Sequence, residues 1–306
     1  MSLGIISHSD CSAHNVGEHH PERPARIAAI QQEIANCELE PHLLHINAQP
    51  IKQEQLELAH NAEYIEYIFE NAPREGILQL DADTAMMPES LNAALLSAGA
   101  ATNAVDLVMS QEVNAAFCAT RPPGHHAERD KAMGFCLFNN VAIAAIYAKQ
   151  QYQLARVAVV DFDVHHGNGT ENILRDESGF LFCSTFQHPF YPFSGTEAHP
   201  THIINTPLSA NAGSQEFRQA ITNDWLPALH QFKPELLLIS AGFDAHAEDN
   251  MSQVMLYEED YHWVSRELKS IADQYSDGRI VSVLEGGYSL GALGRSVVAH
   301  LEGLLS

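Results

Sequence analysis

The chain has 306 residues, is 45% hydrophobic, and carries a formal net charge of −23 from 16 basic and 39 acidic residues. This acidic balance argues against nucleic-acid binding, because contacts to a phosphate backbone need clustered Lys and Arg. It favours cationic or neutral partners through electrostatic steering, although an acidic surface also serves solubility. No apolar run reaches the length of a membrane span and no signal segment is visible, so we expect a cytoplasmic protein without a membrane partner.

Cysteine usage and chain organisation narrow the class of protein further. The five cysteines form no CxxC pair, so the sequence indicates neither a disulfide framework nor a cysteine-rich zinc site. No Pro/Gly/Ser-rich linker, low-complexity run or internal repeat divides the chain. We therefore predict one large domain over residues 1–306, although length alone would suggest about two.

In chain order, short apolar runs alternate with segments of helical periodicity. Predicted strands cover residues 2–8, 114–120, 157–160, 180–186, 202–205, 235–241 and 279–284. Predicted helices cover residues 25–36, 53–60, 62–71, about 88–110, 140–151, 214–231 and 258–275, with a last helix at the C-terminus. The segment 80–88 is predicted to be a loop. This alternation predicts a three-layer α/β fold, with a mostly parallel, doubly wound central sheet flanked by helices.

Polar clusters follow four of the predicted strands: GHHA, DVHHGN, FDAH and GGY. Ligands of such sheets bind beyond the carboxyl ends of the strands. One polar loop after a strand means little, because every α/β protein has them. Four loops that hold His, Asp and Tyr indicate a shared site.

The central stretch, residues 156–170, begins with the apolar run Val157–Val160 and continues with Asp161, Asp163 and His165 at every second position. Alternate side chains of an extended chain share a face, so these three are predicted to point the same way. A buried face of this kind requires a positive partner, and a mixed N/O donor set suits zinc. Asp244 could add a third ligand, although a helix N-cap is the plainer interpretation of that residue alone.

Adjacent histidines, His125 and His126, lie in a Pro/Gly loop and form a candidate proton-transfer pair. Asp161 and Asn168 are polar groups that could fix their tautomers. An anionic partner would keep its histidine charged, whereas a neutral partner would leave its histidine free to act as a base. Tyr288, after two glycines at another strand end, could donate a hydrogen bond to an oxyanion, or could be a packed turn aromatic.

Five motifs in this order, together with HPERPARI near the start, resemble the histone deacetylase family, which includes acetylpolyamine amidohydrolases. They are RPPGHHA (121–127), GFCLFNN (134–140), DFDVHHGNGT (161–170), SAGFDAH (240–246) and EGGY (285–288). Asn168 and the GGY form resemble the class II branch. The resemblance covers nearly the whole chain and implies the arginase/deacetylase fold.

The resemblance implies one Zn²⁺ per chain, held by Asp163, His165 and Asp244. Asp161 then becomes a partner of His125 rather than a zinc ligand, so the alternation of polar residues predicts the metal set only in part. The resemblance also implies a structural monovalent cation, usually K⁺. Its expected ligands are Asp161, Asp163, His165 and Ser184.

Further roles follow from the resemblance. His126 would be general base and then general acid, with Asn168 as its neutral partner. His125 would supply electrostatic stabilisation, and Tyr288 would polarise the scissile carbonyl. Arg26 resembles an internal arginine near the acetate exit. The substrate channel and its rim would be formed by Asp83, Gly134, Phe135, Tyr191 and Met251.

These features predict a zinc-dependent deacetylase acting on acyl-lysine peptides, with acetylpolyamine amidohydrolysis as the alternative. Met251 occupies the position where polyamine-selective relatives carry an acidic gate, although Glu18, Glu248 or Asp249 could supply a carboxylate instead. A catalytically silent zinc-binding module and an arginase-like dinuclear hydrolase are further alternatives. A homo-oligomer is compatible with the sequence, which does not determine the assembly.

Overall fold

A computed structural model describes residues 2–17 and 19–306, so the gate candidate Glu18 lies outside the described residues. The strands are β1 (Leu3–Ser7), β2 (Leu43–Asn47), β3 (Leu78–Gln79), β4 (Ala85–Met86), β5 (Ala115–Cys118), β6 (Val157–Asp161), β7 (Phe180–Gln187), β8 (Ile203–Leu208), β9 (Leu236–Ala241) and β10 (Ile280–Leu284). The helices are α1 (Ala25–Asn36), α2 (Gln53–Leu56), α3 (Ala62–Glu70), α4 (Ser90–Met109), α5 (Asn140–Gln151), α6 (Asn168–Leu174), α7 (Ser214–Ala220), α8 (Leu226–Phe232), α9 (Glu258–Tyr275) and α10 (Leu290–Leu305). Short 3₁₀ helices cover Ser9–Ser12 and Glu40–His42.

Eight strands form one sheet in the order β2-β1-β5-β10-β9-β6-β7-β8, and every neighbouring pair is parallel. The remaining strands, β3 and β4, form a short antiparallel ribbon. Helices cover both faces, so the predicted three-layer α/β architecture is confirmed. The central four strands, β5, β10, β9 and β6, are immediate neighbours, although they are far apart along the chain.

The central strands are apolar on both faces because each face contributes to a separate core. In β6, Val157 and Val159 join a cluster with α4 and α5, whereas Ala158 and Val160 join a cluster with α1, α9 and α10. The strands β9 and β10 are likewise buried along their whole length. Burial on both faces excludes polar side chains until the strand ends, which is why the chemistry begins there.

The structure differs from the predicted elements in several places. The strand β2 was not predicted, because this edge strand of sequence LLHIN is half-exposed and lacks an apolar run. The helix predicted over residues 214–231 is interrupted by a π-helical turn at Ile221–Trp225. Pro227 follows this turn and has no N–H to continue the α-helical ladder. The predicted loop 80–88 also contains the two-residue strand β4.

Helix α4 is long and apolar enough by length and composition to cross a membrane. In the fold it packs on α5 and the sheet, and 67% of its apolar window is buried. These contacts describe a core helix rich in small residues.

Candidate metal centre and active site

The site forms where four neighbouring strands end at the same edge of the sheet. His125 and His126 follow β5, Asp163 and His165 follow β6, Asp244 follows β9, and Tyr288 follows β10. Parallel strands place their carboxyl ends together, so segments separated by up to 163 residues meet in one pocket. The fold thereby joins the four polar clusters that the sequence indicated.

One group of three ligand residues in the described chain, all buried, could hold a metal ion: Asp163, His165 and Asp244, with ligand atoms all within 4.8 Å of one another. His165 Nδ1 lies 2.9 Å from Asp163 Oδ1 and 3.3 Å from Asp244 Oδ2. Asp244 Oδ2 is buried and has no hydrogen-bond partner. Burial, reinforced by the charge of Asp163, raises the pKa of Asp244 to about 6. An unpartnered buried carboxylate oxygen beside an imidazole fits a divalent cation such as zinc.

Backbone groups hold the two carboxylates in place. Gly286 donates its N–H to Asp163 Oδ2 at 2.8 Å, and Val164 donates to Asp244 Oδ1 at 3.0 Å. A Cβ at Gly286 would collide with Asp244 Oδ2, and a Cβ at Gly242 would collide with Asp163. Glycine is therefore required at the ends of β9 and β10 so that the chain can approach the ligands.

The histidine pair acquires two different environments. His125 Nδ1 donates a hydrogen bond to Asp161 Oδ2 at 2.9 Å. Burial alone would lower the pKa of His125, but the negative charges of Asp163 and Asp161 outweigh burial and raise this pKa well above its usual value. His126 Nδ1 lies 2.8 Å from Asn168 Oδ1. Burial and the positive charge of neighbouring imidazoles hold the pKa of His126 well below its usual value. His125 can thus stay positively charged, while His126 stays neutral and can accept a proton.

A cavity of about 290 Å³ leads to the triad. It is lined by Asp83, His126, Gly134, Phe135, His165, Phe190, Tyr191, Met251 and Tyr288. The structure therefore brings together the five predicted channel and rim residues, with His126 and Tyr288 in the same wall. Phe190 was missed by the sequence interpretation, although it precedes Tyr191 in the aromatic loop. Its ring stacks on His165 with centroids 5.5 Å apart and an interplanar angle of 21°.

At the rim, Asp83 Oδ1 accepts hydrogen bonds from Gly134 N at 3.1 Å and from Thr84 Oγ1 at 2.9 Å. Burial and a neighbouring carboxylate, Asp81, raise the pKa of Asp83. The aspartate therefore ties the β3–β4 ribbon to the loop that carries Phe135.

Glu248 and Asp249, two of the three candidates for an acidic gate, lie off the channel, so the structure does not support a gating role for either. Asp249 is 5% exposed, and its carboxylate accepts from the backbone N–H of Tyr288 at 2.6 Å and of Ser289 at 2.9 Å. Glu248 pairs with Arg295 at 2.7 Å. Asp249 thus binds the residues just before α10 and Glu248 pairs with a side chain of α10, and neither is a described lining residue of the channel.

Arg26 is fully buried behind Tyr288, with its guanidinium carbon 5.0 Å from the centre of that ring. It donates to the carbonyl oxygens of Gly287 at 2.6 Å and Glu285 at 2.5 Å, and pairs with Glu22 at 3.1 Å. These bonds support the backbone that positions Tyr288. An exit role for Arg26 stays a prediction.

Two supporting acids escaped the sequence interpretation. Glu22 binds Arg121 through both carboxylate oxygens, and the i,i+4 spacing of Glu22 and Arg26 in HPERPARI was the available signal. Glu285 accepts from the N–H groups of Gly124 at 2.7 Å and His125 at 3.1 Å. Its position in EGGY was noted, but the partners were not evident.

The predicted K⁺ ligands also lie near one another. Ser184 pairs with Asp161 in the register of β6 and β7, and Ser184 Oγ is buried without a hydrogen-bond partner. An orphaned hydroxyl beside a carboxylate fits a hard monovalent cation. The presence of K⁺ stays a prediction.

A buried Asp–His–Asp triad, a histidine pair and a tyrosine at the base of an apolar channel define the site of a hydrolase. The chain belongs to the histone deacetylase family, because the family model for the histone deacetylase domain matches residues 20–304. The histone deacetylase-like amidohydrolase of Pseudomonas aeruginosa is 35% identical over 94% of this chain and 78% of its own length. The polyamine deacetylase HDAC10 of Mus musculus is 34% identical over 100% of this chain and 48% of its own length. The crystal structure of the HDA15 HD domain superposes with a TM-score of 0.93 at 32% identity, covering 99% of this chain and 88% of that one.

Proposed function

We propose that this protein is a zinc-dependent amidohydrolase that removes acetyl or other acyl groups from N-acylated amines such as acetyl-lysine in peptides. The observation that carries the proposal is the convergence of the metal triad, His126 and Tyr288 at one end of the 290 Å³ channel. The name of the Pseudomonas relative, an amidohydrolase, supports the same reaction type. The protein would act in the cytoplasm.

Asp163, His165 and Asp244 would hold the zinc ion, which supplies a Lewis acid and lowers the pKa of bound water towards about 7. His126 accepts the proton of the attacking water at Nε2 and later donates it to the leaving amine. Burial and its charged neighbours lower the pKa of His126, so the imidazole is neutral and able to accept that proton.

Two other groups act on charge that develops during the reaction. The Tyr288 hydroxyl donates a hydrogen bond to the carbonyl oxygen as that oxygen becomes negative. Burial, followed by Asp244, raises the pKa of Tyr288 well above its usual value, so the phenol keeps its proton. His125 remains positive beside Asp161 and stabilises negative charge at the site without transferring its own proton.

The channel suits an unbranched acyl-amine chain. Phe135 and Tyr191 supply aromatic walls, and Asp83 presents a carboxylate at the rim that can accept an amide N–H from a peptide substrate. A structural K⁺ near Asp161 and Ser184 would hold the loop between β6 and α6.

Acetylpolyamine hydrolysis is the second candidate, because the mouse relative is named a polyamine deacetylase. Against it, Met251 lines the channel, whereas Glu248 and Asp249 are engaged elsewhere. Among the described lining residues of the channel, Asp83 is the carboxylate that a cationic polyamine chain could contact. We therefore rank acyl-lysine above acetylpolyamine.

A hydrolysis panel tests the proposal. Zinc-loaded protein is incubated with acetyl-lysine peptide, longer acyl-lysine peptides, acetylputrescine and acetylspermidine, and the free amines are quantified. We expect the highest kcat/KM on a lysine peptide. A preference for an acetylpolyamine would select the second candidate, and hydrolysis of none would leave a zinc-binding module without activity.

Metal analysis distinguishes the proposed one-zinc enzyme from the remaining alternative, a dinuclear hydrolase. A dinuclear hydrolase needs a second set of ligands, and within residues 2–17 and 19–306 the structure brings together one candidate triad. Both ring nitrogens of His166 already form hydrogen bonds, Nδ1 with Ser194 and Nε2 with Glu171. We expect one zinc per chain, and two would favour the dinuclear reaction.

A further inference from the structure

Asn168 lies between His126 and a carboxylate that the proposed mechanism does not use. Asn168 Oδ1 is 2.8 Å from His126 Nδ1, and Asn168 Nδ2 donates to Glu128 Oε1 at 2.7 Å. The same nitrogen lies 3.2 Å from the Met133 sulfur and 3.5 Å from the backbone carbonyl oxygen of His126, both weaker acceptors than the carboxylate. Asn168 is 8% exposed, so protein partners rather than water determine which way its amide faces.

Glu128 can set that orientation. A carboxylate oxygen only accepts hydrogen bonds, so the NH₂ group of Asn168 must face Glu128 and its carbonyl oxygen must face His126. That carbonyl oxygen also only accepts, so His126 Nδ1 must carry the hydrogen. The lone pair then remains on Nε2, which is the arrangement required of a base acting through Nε2.

The position of Glu128 separates this effect from substrate binding. Glu128 lines a second cavity of about 370 Å³, together with Lys131 and Arg175, and this cavity shares no lining residue with the channel. Its backbone is held independently, because Glu128 N donates to Lys131 O at 2.9 Å and Glu128 O accepts from His60 Nδ1 at 2.9 Å. Side-chain substitutions therefore change the carboxylate and leave these anchors.

We propose that Glu128 is a positioning residue that sets the tautomer of His126 by fixing the amide of Asn168. Its consequence for turnover rests on the proposed function, in which His126 is the base. The tautomer itself is a property of the resting protein and is measurable without substrate.

E128K replaces an acceptor with a donor at the same place. Asn168 then turns its oxygen towards the ammonium and its NH₂ towards His126 Nδ1, which favours the tautomer protonated at Nε2. We expect kcat to fall at least about tenfold while KM stays within about twofold, as for a group acting only on the chemical step. E128Q keeps an acceptor oxygen and should retain kcat within about threefold.

A matched control and a rescue distinguish positioning from general damage. E197K makes the same charge change in the same cavity, where Glu197 accepts from Gly195 N, and should leave kcat unchanged. N168D/E128K restores the order of donors and acceptors, because the introduced carboxylate accepts from both His126 and the introduced ammonium. The double variant should therefore restore the hydrogen on His126 Nδ1; its kcat is not the readout, because a carboxylate bonded to His126 also favours the charged imidazole.

Nitrogen NMR of zinc-loaded, ¹⁵N-histidine-labelled protein gives the readout without substrate. His126 is identified by the signals lost in His126→Ala. We expect the hydrogen on Nδ1 in wild type and E128Q, and on Nε2 in E128K. Retention of Nδ1–H in E128K, equal loss of kcat in E128K and E128Q, or a double variant without a hydrogen on Nδ1 would overturn the proposal. If the wild type hydrolyses no amide, the proposed function is refuted instead, and the NMR measurement still determines the tautomer of His126.

Discussion

At the scale of single residues, the site shows how neighbours give identical side chains different chemistry. His125 faces the carboxylate of Asp161, and His126 faces the neutral amide of Asn168, while the two rings lie 4.0 Å apart. Both are buried, so the charges around each ring decide its state: Asp163 and Asp161 raise the pKa of His125, whereas burial and the neighbouring imidazoles lower that of His126. One fixed cation raises the cost of protonating its neighbour, and the pair therefore divides the work of stabilising charge and moving a proton.

Replacing Tyr288 with Phe removes the hydroxyl that the proposal assigns to the developing oxyanion. The ring packs edge-on to Phe135 with centroids 6.1 Å apart, and this contact survives the change. Loss of an oxyanion donor typically costs about 3–4 kcal/mol, so we expect turnover to fall by more than about tenfold. Steady-state kinetics on the best substrate of the panel measures the effect, and metal analysis should show intact zinc content.

Tyr191→Phe is the matched control, because it removes a hydroxyl from the same channel. Tyr191 packs edge-on to His126 with centroids 5.2 Å apart, and its proposed role is to form the channel wall. We expect kcat within about threefold of wild type, as for a group with no selective contact to the transition state. Equal turnover in Tyr288→Phe and wild type would remove Tyr288 from the mechanism.

The residues that sequence could predict are those placed by a strand. The alternation after β6 indicated a shared polar face, and the structure brings Asp163 and His165 into the triad, while Asp161 contacts His125. Supporting acids could not be predicted in the same way. Glu22 contacts Arg121 across 99 residues and Asp249 contacts Tyr288 across 39, and such pairings depend on loop paths that periodicity does not encode.

At the scale of elements, strand ends act as rigid supports for the metal ligands. The strands β6, β9 and β10 are predictable because apolar runs buried on both faces are short and sharply bounded. The edge strand β2 and the π-helical turn at Ile221–Trp225 depend on exposure and on a single proline, so the apolar pattern did not reveal them. The prediction was therefore most accurate where the site is built.

Gly286→Ala tests the approach of β10 to the triad. The added Cβ would overlap Asp244 Oδ2 and would lie 2.6 Å from Asp163 Oδ2, so at least one carboxylate must move. Disturbing groups that orient ligands commonly costs about 10–100-fold in metal affinity. We expect zinc affinity to fall by at least about tenfold, measured by competition with a chelator.

Gly291→Ala provides the control for a glycine in the same region. Gly291 lies in the first turn of α10, and its Cβ would meet only the end of the flexible Arg295 side chain at 3.3 Å. Alanine is the better helix former, so stability should stay equal or rise by up to about 1 kcal/mol, with zinc affinity unchanged. Unchanged zinc affinity in Gly286→Ala would show that the site tolerates the movement.

At the scale of the whole molecule, a buried ion cluster ties together distant parts of the chain. Glu22, from the loop before α1, pairs with Arg121 after β5 and with Arg26 in α1, and all three are fully buried. Arg121 also donates to the carbonyl oxygens of Cys11 and His14 at 2.9 Å. The N-terminal segment is thereby joined to the sheet edge where the active site lies. Burial alone would raise the pKa of Glu22, but the two guanidinium groups lower it from 4.5 to about 2.

Glu22→Gln should therefore destabilise the fold by about 3–5 kcal/mol, because two buried arginines lose their counter-charge. The sign of the pH dependence follows from a pKa that is lower in the folded state than in the unfolded state. Wild type holds the full contribution, about 3 kcal/mol, above pH 4.5 and loses it as the pH falls towards 2. The difference in unfolding free energy between metal-free wild type and Glu22→Gln should consequently shrink as the pH falls from 6 to 3.5, as measured by urea denaturation.

The control is Glu40→Gln, which removes a charge from a half-exposed pair with His45 and should change stability by no more than about 0.5 kcal/mol. A difference between wild type and Glu22→Gln that is constant over this pH range would show that the cluster does not depress the pKa of Glu22.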